Sequence, residues 1–175
     1  ANCLVWNCNR HRLDFEARRD SLLVGSGRLD PAMGGQAVDI VKEIPVPRRT
    51  IYGFIDRQNL PGMFRTFDFA SPDASSAQRF FTTVPQQALF LMNSPFVSGH
   101  AKAAATRLLQ HAPGDTERVQ RAYEEVFGRP ANGQELDQAL TFVHANKTAD
   151  DEVAAWAKFY QALLASAGFR YGTLT

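Results

Sequence analysis

Cysteine is scarce in this chain: there are two, Cys3 and Cys8, in the stretch NCLVWNCN. Their spacing, with no histidine directly after Cys8, is not that of a haem-attachment motif. A zinc site would need two further ligands, and His11 is the one nearby candidate. The plain reading is two independent thiols. The alternative is a local disulfide, which needs an oxidising compartment. No metal and no cofactor are expected. Long apolar runs are missing as well, since none approaches the roughly 20 residues that span a bilayer, so no membrane insertion is expected. An excess of one charge is also absent: 19 basic against 18 acidic residues leave a net charge of +1. That balance argues against a partner whose phosphate backbone must be neutralised, and no nucleic acid is expected. The chain has neither a starting methionine nor a signal-like apolar region, which suggests a piece of something longer.

What is present is an ordinary globular composition, 45% hydrophobic and 21% charged over 175 residues, enough chain to bury a core. In RLDFEARRDSLLVGSGRLD, Leu13, Ala17 and Val24, flanked by Phe15, Leu22 and Leu23, suit a helix buried along one side. Gly25 and Gly27 end it. Arg12 and Glu16 stand four apart in a favourable pair, and Glu16 and Asp20 four apart as like charges. Two carboxylates one turn apart invite an acid–base reading. The competing reading is that Arg12, Arg18 and Arg19 neutralise them in a charged face or buried network.

Residues 30–50 are rich in glycine and proline. AVDIVKEI and TIYGFI have the β-branched and aromatic character of two strands, with Pro45 and Pro47 between them. Further on, Arg57, Phe64, Arg65, Phe67, Phe69, Arg79, Phe80 and Phe81 interleave cations with aromatics. Such a run can form a stacking platform. At this density the phenylalanines read better as core, with arginines lying over their rings.

The last third is strongly periodic. Val119, Ala122, Tyr123, Val126 and Phe127 make one stripe, ended by Gly128 and Pro130. Asn132 and Glu135 have capping-box spacing ahead of Leu136, Ala139, Leu140 and Val143. Val153, Trp156, Ala157, Tyr160 and Leu164 form a third stripe. Three helices with short connections pack as neighbours. Upstream, TTVPQQALFLMNSPFV reads as helix, corner, helix. Thr83 and Gln86 form a capping box with Pro85 in the first turn, Asn93 closes the first helix in a left-handed conformation, and Ser94–Pro95 opens the second. Gln87, Asn93 and Thr82 are left wanting partners, and the arginine-rich middle segment is the expected one.

The expected fold is mainly α: a helical bundle-like domain with a small β-hairpin or extended segment near residues 38–55. Residues 1–175 are expected to be a single domain excised from a larger multidomain protein. Within it lie an N-terminal helix at 9–27, an irregular, β-containing segment at 30–81 and a helical body at 83–167.

The motifs RRTIYGFIDR, TTVPQQALFLMNSPFV and AYEEVFGRP, with the lead-in RHRLDFEARRDSLLVGSGRLDPAMGG, resemble a planctomycete-specific, cytochrome-associated C-terminal domain of unknown function. The resemblance covers nearly the whole chain. It implies a fragment of a large exported protein, in the periplasm or cell envelope, whose partners are other domains of the same parent. The cysteines depart from the family pattern, as does Gly168, where an acidic residue is commoner. A candidate polar cluster for binding or structure comprises Glu16, Asp20, Arg48, Arg49, Tyr52, Arg57, Asp68, Asp73, Arg79, Gln87 and Asn93; no catalytic residue is assigned. The favoured function is a non-catalytic accessory or interaction domain. The alternative is a carbohydrate-binding or carbohydrate-processing domain for a polysaccharide, with Tyr52 or Trp156 stacking and Asp68 and Asp73 sharing a cleft at roughly 5–10 Å. A redox-linked module for a neighbouring cytochrome is a third reading, with nothing in the chain to hold a cofactor.

Overall fold

In the computed structural model, residues 12–40, 46–79, 82–147 and 151–171 are described. The two cysteines, His11, Pro45, Phe80 and Phe81 lie outside them. Eight α-helices occur among the described residues: α1 (Phe15–Gly25), α2 (Gly62–Thr66), α3 (Pro85–Asn93), α4 (Pro95–His111), α5 (Asp115–Phe127), α6 (Gly133–Asn146), α7 (Glu152–Ala165) and α8 (Ala167–Tyr171). A 3-10 turn spans Thr50–Tyr52. The fold is mainly helical, as expected, and none of the described helices is long and apolar enough to cross a membrane.

The helical body forms where the periodicity places it. Val119, Ala122 and Tyr123 are buried on α5, Ala139 and Val143 on α6, and Trp156, Tyr160 and Leu164 on α7. Gly128 stops α5 in the left-handed conformation at φ 70°, where glycine has no Cβ to clash. The Asn132–Glu135 capping box opens α6 with both reciprocal hydrogen bonds, 2.9 Å each. α4 buries Ala101, Ala104 and Ala105, and these short side chains suit its close packing with α7, the most extensive helix pair in the molecule. This core is continuous from Leu22 of α1 to Phe169 of α8.

A second, smaller core joins Phe15, Ile40, Leu60, Phe64 and Phe67, and Phe90 packs against both cores. Phe64 and Phe67 are thus core and Phe69 packs against them, as expected. Phe15 and Phe64 lie 4.6 Å apart between ring centroids, with Arg18 over Phe67 and Arg79 over Phe69, each at 4.9 Å.

Of the hairpin and the extended segment expected near 38–55, the extended segment is the one present among the described residues, with isolated parallel bridges between Val38 and Gly53 and between Asp30 and Arg48. Gly53 suits this close approach, because a Cβ would meet Ile40 Cδ1 at 2.6 Å and the Thr50 carbonyl oxygen at 3.0 Å. α1 is turned relative to the expected stripe: Phe15, Arg18, Arg19, Leu22 and Leu23 are buried, while Ala17 and Val24 are exposed. Arg12 precedes the helix and does not pair with Glu16. The cap of α3 is Val84, with Pro85 as first helical residue and no side-chain cap bond, so the Thr83–Gln86 box does not form. Asn93 is helical; the one described non-glycine residue with positive φ is Asp68, at 58°.

Candidate functional site

α1 is the polar hub of the molecule. Its inward positions 18 and 19 are arginines, 2% exposed each. Arg19 reaches across to the irregular segment and donates to the Val46 and Arg48 carbonyls, both at 2.9 Å, and to Thr50 Oγ1 at 3.2 Å. Next to it in sequence, Asp20 Oδ1 accepts from the Thr50 amide at 2.7 Å and its hydroxyl at 2.6 Å. Burial lowers the Arg19 pKa, while the Asp20 charge works against that shift. A coil leaves its carbonyls without ladder partners, and a guanidinium, with five N–H donors in a fixed fork, can satisfy several at once.

Glu16 is gripped by Arg79 in a bidentate pair, 2.6 and 2.7 Å. Burial pushes the Glu16 carboxyl up, but the hydrogen bonds and charge of Arg79 outweigh it and hold the group below its ordinary value. Glu16 therefore stays ionised and occupied near neutral pH, which is the opposite of what a general acid requires. Glu16, Asp20, Arg49 and Arg79 line one cleft of about 470 Å³ between α1 and residues 49–55, floored by Phe64 and Phe69.

A second network surrounds Asp68. Its carboxylate accepts from Thr82 Oγ1 at 2.5 Å and Thr82 N at 2.9 Å, and Arg12 Nη1 approaches at 3.4 Å. Gln87, 1% exposed, donates to the Thr66 carbonyl at 2.8 Å and accepts from Arg12. These bonds hold Asp68 in its left-handed conformation, an otherwise unfavourable state for a residue with a Cβ. Gln87 and Thr82 thus meet the arginine- and phenylalanine-rich segment as expected. Asn93 is exposed and does not take part. A third group pairs Arg48 with Tyr52, 4.4 Å from guanidinium to ring centroid. Arg48 donates to the Ala32 carbonyl at 3.1 Å and to that of Gly34, while Tyr52 Oη accepts from the Gly34 amide at 3.0 Å.

The candidate residues consequently separate into three groups. Glu16, Asp20, Arg49 and Arg79 share a cleft; Asp68 and Gln87 share a partly buried network; Arg48 and Tyr52 hold the loop at Gly34. Arg57, Asp73 and Asn93 are exposed and join none of them. Both oxygens of Asp68 accept from Thr82, while Asp73 is exposed. Trp156 is fully buried and offers no stacking face.

One polar pair escaped sequence reading. His100 Nδ1 lies 2.7 Å from Ser26 Oγ, which itself donates to the Leu23 carbonyl at 3.0 Å. His100 Nε2 is buried without a partner among the described residues. Burial and the charges of Arg28 and Arg19 lower its pKa to about 4. The available signal was position: residue 100 falls on the α4 stripe with Phe96, Val97, Ala101 and Ala104.

No curated protein and no solved structure matches the chain. Residues 1–143 match the family PSD1, protein of unknown function (DUF1553). That stretch contains α1, the irregular segment and every polar group of the three networks described above, and the chain belongs to this family of unknown function.

Proposed function

We propose that the chain is a non-catalytic accessory domain of a larger exported protein, docking against other domains of that parent in the periplasm or cell envelope. One observation carries this reading: the polar residues nearest to a chemical constellation are spent within the molecule. Glu16 is closed by Arg79, Asp20 by Thr50, Asp68 by Thr82, and Gln87 by Thr66 and Arg12. They fasten the irregular segment to α1 instead of converging on an open reacting centre.

The export, the cytochrome-bearing neighbours and the planctomycete origin follow the motif resemblance, and the family's description supplies no activity. Of the two stacking candidates of the carbohydrate reading, Trp156 is inside the body and Tyr52 is half-buried with Arg48 over its ring. A thermal-shift screen on a glycan panel, run on the chain beside its full-length parent, tests the assignment. We expect no glycan to raise the midpoint of the isolated chain. A glycan shift that disappears in Glu16→Gln or Asp20→Asn would overturn the accessory reading.

A further inference from the structure

Three arginines meet at Leu13. Its amide donates to the Arg170 carbonyl at 3.1 Å, which ties the start of α1 to α8. Its own carbonyl accepts from Arg18 Nη2 at 3.1 Å, and Arg12 precedes it in sequence. The three charges act on one another. After burial, Arg12 and Arg170 are the next causes that lower the Arg18 pKa, ahead of the opposing attraction of Asp68 and Asp14.

Few of their donors are used, although each guanidinium carries five N–H groups. Arg18, 2% exposed, spends Nη2 on Leu13, while its Nε and Nη1 are buried without a partner among the described residues. Arg170 is half-buried, and its Nε is likewise buried and unpartnered among the described residues. Arg12 is better provided: Nη2 donates to Gln87 Oε1, and Nη1 stands 3.4 Å from Asp68 Oδ2. Asp68 is a shared acceptor, since both its oxygens already accept from Thr82. Asp14 is exposed and lies 4.0 Å from Arg79. Positive charge is thus buried around Leu13 with more donors than acceptors, and buried charge without full compensation is costly.

We propose that the cluster of Arg12, Arg18 and Arg170 binds a small inorganic oxyanion of the phosphate or sulfate class, held by Arg18 and Arg170 with Arg12 as a third attracting charge. Such an ion offers several acceptor oxygens at once, which suits donors arriving from two separate guanidiniums, and hydrogen bonds between charged groups are the stronger kind. The partly exposed Arg170 gives the cluster its access to solvent. Arg18 and Arg170 belong to none of the pairs on which the accessory reading rests, so the two readings stand or fall separately.

The probe is inorganic phosphate, titrated against the chain at neutral pH and constant ionic strength, read by calorimetry and by the thermal midpoint. One phosphate per chain is expected, with a midpoint that climbs by an even step for each tenfold rise in phosphate beyond the dissociation constant. Sulfate should act in the same way. Arg18→Met should abolish the climb, and Arg170→Gln should weaken binding at least tenfold. Arg57→Gln, at an exposed arginine outside the cluster, should leave both readouts unchanged. A variant that merely alters stability moves the starting midpoint but keeps its dependence on phosphate. Absence of a saturable signal overturns the proposal. An equal climb with chloride at the same ionic strength overturns it too, since that is charge screening. So does a climb that survives intact in Arg18→Met or Arg170→Gln.

Discussion

α7 turns Trp156, Phe159, Tyr160 and Leu163 inward, while α1 turns Phe15, Arg18, Arg19 and Leu22 inward on the same spacing. The difference lies in what each helix must face. α7 meets other helices, whose backbones satisfy themselves, so apolar area is the useful currency. α1 meets residues 46–55, a stretch without a ladder, whose carbonyls and amides need partners supplied by side chains. Two arginines in the stripe give α1 little amphipathic character by ordinary criteria and still allow it to bury a face. The body is thus held by area, and the irregular segment by donors together with its own small apolar core.

The comparison can be broken most forcefully in the body. Trp156→Ala should cost about 3–5 kcal/mol, the usual range for emptying a large core site. Because Trp156 lies in the core that runs from α1 to α8, denaturation should shift as one transition for every probe. Arg19→Met should act differently. It leaves the Val46 and Arg48 carbonyls and the Thr50 hydroxyl unpaired, with a penalty of about 3 kcal/mol from buried unsatisfied groups. Hydrogen exchange should show lost protection at the Thr50 and Gly53 amides while α5 and α7 keep theirs. Uniform loss across the molecule would mean that the two regions are a single cooperative unit.

These two kinds of construction explain what could be read from the sequence. The stripes of α5, α6 and α7, the Gly128 stop and the Asn132–Glu135 box are local patterns, complete within one or two turns. The partners of α1 are remote: Arg79 is 63 residues from Glu16, and Gln87 is 75 from Arg12. The i,i+4 rule pointed Arg12 at Glu16, but the helix begins only at Phe15 and Arg12 is free to turn toward Asp68. Likewise a Thr-x-x-Gln box at 83–86 was legible as a motif, yet the start of α3 sits one residue later. That shift turns Gln87 inward, where it bonds Thr66. The assignment of unsatisfied polarity to Gln87 and Thr82 survives because it asked which groups lacked partners. Asn93 does not follow them, being helical and exposed on the far end of α3.

His100 joins the two regions, linking α4 to the end of α1 through Ser26, and it makes their junction sensitive to pH. Its folded pKa is about 4 against an ordinary 6.5, so between those values the unfolded chain takes up a proton that the folded chain refuses. Stability should fall as pH drops from about 6.5 to about 4, by up to about 3 kcal/mol in all. Glu16, whose folded pKa is lowered, adds a loss of the same sign at lower pH. His100→Leu removes the titrating group without orphaning Ser26, which already bonds Leu23. Urea midpoints of the variant should lose most of their slope in that window while the wild type keeps it. Parallel slopes would show that the junction does not hold His100 neutral.

The smallest expected effect is the sharpest contrast, because it concerns the neighbour of Arg19. Arg18 is equally buried, yet it makes one hydrogen bond, to the Leu13 carbonyl at 3.1 Å, and its Nε and Nη1 have no partner among the described residues. Burial first, then the charges of Arg12 and Arg170, lower its pKa to about 10, so its charge is a burden on the fold. Its gains are the Leu13 bond, the Phe67 ring beneath it and the weaker attraction of Asp68 and Asp14. Arg18→Met keeps the length and the apolar stem, and replacing a poorly satisfied buried ion by a well-packed apolar group is commonly neutral or stabilising by about 1 kcal/mol or more. Chemical denaturation should therefore place Arg18→Met at or above the wild type, while Arg19→Met falls well below it. If both variants fall together, the inward arginines act through packing and charge as a pair. The number of acceptors each one satisfies would then cease to explain why α1 carries them.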